Sequence, residues 1–249
     1  MPFVSANAIQ IAYEETGDAG APVILLIMGL GASLVFWPDA LVAGLAKRGF
    51  RVVRLDNRDF GLSTKFVDAP PVDVSGAYAR LMKGEKVDAP YGLPDMAEDA
   101  VGLLDALKID KAHIVGASMG GMIAQIIAAD HKERARSLVS IMSTSGDPKL
   151  PPGKPEALAI LTIPPPPADD RAANIEHGVR CQRAIGSSVL PSSDAELRAK
   201  VEKGYDRSNY FDGAPRQLLA VMVNGSRVEL LKRIAVPTLV IHGTDDPLI

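Results

Sequence analysis

The segment Gly116-Ala117-Ser118-Met119-Gly120 constrains this chain more than any other. By itself a G-x-S-x-G pattern arises often by chance. Its flanks give it weight: Ala112-His113-Ile114-Val115 reads as a short strand, and residues 119–129 carry apolar side chains at helical spacing. A strand that turns at once into a helix forces the residue at the corner into a strained backbone conformation. Small residues two before and two after the serine let strand and helix approach closely, and Gly121 adds room. Such a corner lifts the Ser118 hydroxyl out of the sheet edge and aims the N-terminus of the helix, with its unpaired N–H groups, at charge developing there. Ser118 is therefore the candidate nucleophile, and Gly116 and Gly120 are the glycines the corner needs.

The rest of the chain fits a sheet that can hold such a corner. Residues 23–28 form a continuous apolar run, as expected of a strand buried on both faces. Residues 9–15 and 51–55 also read as strands, 37–47 as a helix ending at Gly49, 95–107 as a helix, 137–142 as a strand and 238–242 as a late strand. Strands alternating with helices predict an α/β fold with a mostly parallel sheet flanked by helices. The interval from 146 to 232 departs from that rhythm. It opens on Pro148, Pro151, Pro152 and Pro155, carries the run 164–167 of prolines, and then shows helical patches at 194–203 and 215–223. We read it as a helical cap inserted between a first core part, residues 1–145, and a second, residues 233–249.

Among the 249 residues, 47% are hydrophobic, enough for a large core, and the formal net charge of −3 with no basic run argues against nucleic acid as a partner. The most membrane-like stretch, 23–37, is too short to span a bilayer and is broken by Gly29 and Gly31, so no stable membrane insertion is expected. The N-terminus shows no cationic segment leading into an apolar run, and the single cysteine, Cys181, forms no internal disulfide; both fit a cytoplasmic protein. No metal-ligand spacing is visible, and no cofactor is expected.

A serine that attacks a carbonyl needs donors for the resulting oxyanion. One is the backbone N–H of Met119, the residue after the nucleophile. The other is expected from the loop after the 23–28 strand, where Gly29-Leu30-Gly31 permits an unusual backbone path and places the Leu30 N–H as donor. Met28-Gly29-Leu30-Gly31 resembles the H-G-x-G oxyanion segment of the α/β-hydrolase superfamily, with Met28 in place of the usual histidine. Residues 55–63, Leu-Asp-Asn-Arg-Asp-Phe-Gly-Leu-Ser, are similar to that superfamily's D-x-R-G-x-G-x-S loop, with Asp59 where glycine is usual. Together these features look most like serine esterases of the aclacinomycin methylesterase type.

The resemblance implies a fold, an activity and a triad. The fold is the α/β-hydrolase fold with a helical cap, and the activity is cleavage of small-molecule carboxylic esters through an acyl-enzyme on Ser118. Gly243-Thr244-Asp245-Asp246-Pro247 is similar to the family's G-x-x-D segment and aligns Asp246 with the triad acid; Asp245 and Asp147 are competitors. The base is expected as a histidine beyond the acid, yet the sequence stops at Ile249, and none of His113, His131, His177 and His242 occupies the family's position. The expectation is that the C-terminal segment bearing the base is missing, and that these residues alone make a poor catalyst. Carbon–carbon bond hydrolases and cofactor-free haloperoxidases keep the same serine and stay open as alternatives. So does a non-catalytic ligand-binding protein of the same fold.

Overall fold

The computed structural model describes residues 2–249. Among these residues, seven strands form one sheet: β1 Phe3–Ala6, β2 Ile9–Thr16, β3 Val23–Ile27, β4 Arg51–Leu55, β5 Ala112–Ala117, β6 Ala135–Ile141 and β7 Thr238–Ile241. They lie in the order β1-β2-β4-β3-β5-β6-β7. The hairpin β1–β2 and the β2–β4 pair are antiparallel, and every pair from β4 to β7 is parallel. The chain is thus the mostly parallel α/β fold that the alternation of strands and helices predicts.

All five residues of β3 are buried, and alternation sends them to two cores. Leu25 and Ile27 join Leu103, Leu104, Ile123 and Ile127, which belong to helices α3 Leu93–Ala106 and α4 Met119–Asp130. Ile24 and Leu26 pack on the opposite face with Trp37 and with Val42 of α1 Asp39–Lys47. A strand covered on both sides has no use for polar side chains, which is why residues 23–27 read as an unbroken apolar run. At the far side of the sheet, β7 is a strand as expected, but its side chains are exposed: Leu239 by 55%, Val240 by 66% and Ile241 by 47%. No helix among the described residues is long and apolar enough to cross a membrane.

The remaining helices are α2 Val74–Met82, after β4, and α5 Pro155–Ile160, α6 Arg171–Ala184, α7 Asp194–Arg207, α8 Gly213–Asn224 and α9 Val228–Leu231, between β6 and β7. Helices α6 and α7 bury Ile175, Val179, Leu197 and Val201 against each other, a small core separate from the two at the sheet. Their starts are fixed by side chains: Asp170 accepts the Ala173 N–H at 3.0 Å, and Ser193 and Glu196 form a reciprocal capping box. Strand β1 and helices α2, α5, α6 and α9 go beyond the sequence reading. The apolar signal of α6 is carried by Ile175 and Val179 among many charged residues, so its face is hard to see without its partner.

Helix α8 is bolted to the sheet end by charge. Asp59, fully buried in the loop after β4, receives Arg216 of α8 through two bonds, Nε to Oδ2 at 2.5 Å and NH2 to Oδ1 at 2.9 Å. Tyr91 donates to Asp59 Oδ2 at 2.9 Å, and the Phe66 N–H donates to Oδ1 at 3.1 Å. The hydrogen bonds to Asp59 push Arg216 above its usual value and hold it charged. Burial, with the Asp59 carboxylate beside it, raises the Tyr91 phenol far above the ordinary range, so it stays a donor. Asp59 has φ +66°, a region that glycine favours and that Asp tolerates better than most residues. The carboxylate at this strained position is thus the partner of an arginine 157 residues away.

A buried pair of this kind is costly to break from one side. Arg216→Met is expected to lower unfolding stability in urea by about 3–5 kcal/mol, because it leaves the Asp59 charge buried and unpaired. Adding Asp59→Asn removes that charge, keeps an oxygen to accept the Phe66 N–H and presents an NH2 that the Tyr91 hydroxyl can accept, and is expected to recover at least half of the loss. A double variant no more stable than Arg216→Met would show that the pair does not act as a unit.

Candidate active site at the strand ends

The parallel register sets which loops meet. Ile27 of β3 stands opposite Leu55 of β4 and Gly116 of β5; Ala117 stands opposite Ile141 of β6, and Ile141 opposite Ile241 of β7. The residues that follow these strands therefore leave the sheet at one level. They are Gly29 and Leu30 after β3, Asp56 and Asn57 after β4, Ser118 after β5, Ser143 after β6 and His242 to Asp246 after β7.

Ser118 occupies the corner between β5 and α4, with φ 55° and ψ −121°. A residue other than glycine in this region costs on the order of 1–3 kcal/mol and persists only where its surroundings over-determine it. The surroundings here are tight. A Cβ at Gly116 would collide with the Gly120 carbonyl, and one at Gly120 would collide with the Ile27 carbonyl, so strand and helix approach as closely as glycine allows. The Ser118 N–H donates to the Ile141 carbonyl at 2.9 Å, and Ser143 Oγ donates to the Ser118 carbonyl at 2.8 Å. Ser143 was not legible as part of the corner, since only the sheet brings the residue after β6 beside it.

The loop after β3 lies against this corner. A Cβ on Gly29 would stand 3.1 Å from Ser118 Cβ and 3.5 Å from Ser118 Oγ, which puts the Gly29-Leu30-Gly31 backbone beside the hydroxyl. No hydrogen bond among the described residues engages the Leu30 N–H. Met119 is the first residue of α4, so its N–H is one of those that find no acceptor within the helix. The loop that carries the Leu30 N–H and the helix start that carries the Met119 N–H thus both adjoin Ser118. The loop is itself held at both ends: Asn57 Nδ2 donates to the Met28 carbonyl at 2.8 Å, and the Gly31 N–H donates to Gln217 Oε1 at 3.0 Å.

The three carboxylates weighed for the acid fall in different places. Asp246 lies after β7, two strands from β5, or about 10 Å of sheet at the usual strand spacing. Its Oδ1 accepts the N–H groups of Leu248 at 2.9 Å and Ile249 at 3.0 Å, and its Oδ2 stands 3.6 Å from His242 Nε2. Asp245 is exposed. Asp147 closes a turn after β6, accepting the Lys149 N–H at 2.9 Å. Of the histidines, His113 sits at the start of β5, remote from Ser118, with Nδ1 2.8 Å from Ser137 Oγ; His131 ends α4 and pairs with Glu98 at 2.9 Å. His242 and His177 are at the site's end of the molecule. His242 follows β7, with Nε2 3.2 Å from the Ile249 carbonyl, while His177 on α6 faces Arg180 at 3.3 Å and Cys181 at 3.4 Å. Burial, and then the Arg180 charge, hold His177 below its usual pKa, and burial raises the Cys181 thiol, so both are neutral at pH 7. No hydrogen bond among the described residues joins Ser118 Oγ to any histidine.

A cavity of about 540 Å³ opens beside the Gly29–Gly31 loop. Leu30, Gly31 and Phe60 form its floor, and Ile160, His177 and Tyr205 belong to its wall from the helical segment. Its lining is mainly apolar, so it suits a bulky apolar group; Ser118 is not among the lining residues, and Leu30 and Gly31 are what join the cavity to the loop beside it. No group of three or more His, Cys, Asp or Glu among the described residues is arranged to hold a metal ion.

Comparison with known proteins agrees with this architecture. A family model described as the alpha/beta hydrolase fold matches residues 22–249. Rhodomycin D methylesterase DauP of Streptomyces sp. is 27% identical, over 98% of this chain and 82% of its own length. The 2-hydroxy-6-oxononadienedioate/2-hydroxy-6-oxononatrienedioate hydrolase of Paraburkholderia xenovorans is also 27% identical, over 96% of this chain and 75% of its own length. Among solved structures, the enol-lactonase from Burkholderia xenovorans matches with a TM-score of 0.68 at 25% identity, covering 98% of this chain and 81% of that one. The methylesterase and the fold both bear out the resemblance read from the oxyanion segment and the loop after β4. The chain belongs to the α/β-hydrolase family.

Proposed function

We propose that this hydrolase cleaves carboxylic esters through an acyl-enzyme on Ser118. The observation that carries the reading is the strained Ser118 corner with the Gly29–Gly31 loop against its hydroxyl. Strain of this kind is tolerated where it serves a site, and a serine adjoined by a loop and a helix start that carry backbone donors is arranged for acyl transfer. In this reading Ser118 Oγ attacks the ester carbonyl and loses its proton to a base oriented by Asp246. The N–H groups of Leu30 and Met119 hold the oxyanion, the alcohol leaves, and water releases the acid by the same path. The helical segment 146–232 is a cap over a core made of residues 1–145 and 233–249. Its apolar cavity takes the bulky part of a hydrophobic acyl or polyketide-like ester. Similarity to the Streptomyces methylesterase supports an ester substrate. Similarity to the Paraburkholderia hydrolase favours carbon–carbon bond hydrolysis as the second reading, since it extends over nearly as much of the chain, 96% against 98%.

Mass spectrometry of the intact protein after exposure to a fluorophosphonate tests the nucleophile. One adduct is expected, absent from Ser118→Ala and retained in His177→Gln and His242→Gln. Loss of the adduct in His242→Gln would assign that ring as the base. A Ser118 that stays unreactive even when a histidine is supplied on a C-terminal extension would sink the reading and leave a ligand-binding protein of this fold. Parallel assays on p-nitrophenyl esters and on a vinylogous 1,5-diketone separate ester cleavage from carbon–carbon cleavage.

The strain is testable apart from chemistry. At φ 55° glycine is the less strained residue. Ser118→Gly is therefore expected to be more stable in urea than Ser118→Ala by about 1 kcal/mol, the reverse of the ordinary helix ranking of the two residues.

A further inference from the structure

We infer that Gln217, on helix α8, is a positioning residue for the oxyanion loop; the inference rests on the acyl-transfer reading above. The loop's expected donor, the Leu30 N–H, lies between two fixed points. On one side Asn57 Nδ2 holds the Met28 carbonyl at 2.8 Å. On the other, the Gly31 N–H donates to Gln217 Oε1 at 3.0 Å. The peptide plane that joins Leu30 to Gly31 is the one that Gln217 grips, so the amide fixes the torsion next to the donor. Gly31 has φ 59° and, having no side chain, nothing of its own to hold that conformation; an external partner does so.

Gln217 is itself immobile. It is fully buried, and its Nε2 donates to the Arg58 carbonyl at 2.9 Å. Arg58 is locked in turn by two bonds to Asp99 of α3, at 2.6 and 2.7 Å, with its guanidinium over the rings of Phe66 and Tyr91. One residue before Gln217, Arg216 pins the same turn of α8 to Asp59. Helix α8 thus reaches the oxyanion loop from a double anchor, and the Ala214 side chain of that helix also rests against it, 3.5 Å from where a Gly31 Cβ would stand. Met28 stands where the superfamily's H-G-x-G segment has its histidine. A methionine side chain has no donor to brace the loop. In this chain the bracing comes from Asn57 and from the helical segment, and the oxyanion donor is tied to that segment's position.

The test uses Gln217→Leu and Gln217→Glu in the full chain, with amide hydrogen exchange and steady-state ester hydrolysis as readouts. Leucine fills the space and makes neither bond; glutamate keeps an acceptor for the Gly31 N–H. A misplaced donor costs rate in the transition state and leaves ground-state binding alone. For Gln217→Leu, kcat is expected to fall about tenfold to a hundredfold with KM within about twofold, and Gly31 exchange to speed by at least about tenfold. Exchange at Leu25 and Leu26 in β3 is expected to stay slow, which separates a loosened loop from a loosened core. Gln217→Glu is expected to return part of the protection at Gly31 and of kcat, and more at low pH, because its carboxyl must be protonated to donate to the Arg58 carbonyl as the amide does. Unchanged Gly31 exchange in Gln217→Leu, or a rise in KM with kcat intact, would overturn the inference. Should the chain hydrolyse no ester even with a histidine supplied on a C-terminal extension, the acyl-transfer reading fails, and the exchange arm still decides whether Gln217 holds the loop.

Discussion

The parallel pairing of β3 with β4 on one side and β5 on the other is the constraint on which the site depends. Register in a parallel sheet is fixed by backbone hydrogen bonds and by burial on both faces, because a slip by one residue would turn Leu25 and Ile27 toward the wrong core. With Ile27 opposite Leu55 and Gly116, three loops leave the sheet together. The serine corner, the glycine loop and the acidic loop after β4 then meet without any long connection. The close passage of α4 over β3, which glycine at 120 permits, completes the arrangement.

The acidic loop after β4 shows how buried charge is handled when it cannot be avoided. Asp56 Oδ1 accepts the Leu34 N–H at 2.7 Å, while its Oδ2 accepts the Leu62 N–H at 2.8 Å and faces Arg207 NH2 at 2.7 Å. Asp59 gathers Tyr91, Phe66 and Arg216. Each carboxylate pays for its desolvation with several donors, and charged partners on α7 and α8 close the account. The outcome is a stiff connector. It carries position from the sheet to the helices that enclose the cavity.

The sequence reading went furthest where structure is written locally. The strands at 9–16, 23–27 and 51–55, the serine corner and the helix after it all follow from apolar runs, glycine spacing and the order of elements. Helix α6 did not, because its two buried apolar residues acquire a face only against Leu197 and Val201 of α7. Asp59 was visible as an aspartate at a glycine's place, but its partner Arg216 lies in a stretch of sequence with no signal linking the two. The same holds for Gln217 and Gly31, and for Ser143 and Ser118. Residues that brace a site across the fold carry no periodicity and no motif, and only the sheet order brings them together.

The separate small core of α6 and α7 divides the molecule's tolerance to change. Residues of that hairpin that face the cavity, such as His177 and Cys181, can vary with consequences confined to a core of four apolar side chains. Helix α8 has no such freedom, since Arg216 and Gln217 are joined to the loops around the serine. Drift in α6 would reshape what the cavity admits while the serine corner keeps its form, whereas drift at Arg207 of α7 or at the root of α8 would reach the loops around that corner. What the cavity admits is thus most open to change through α6.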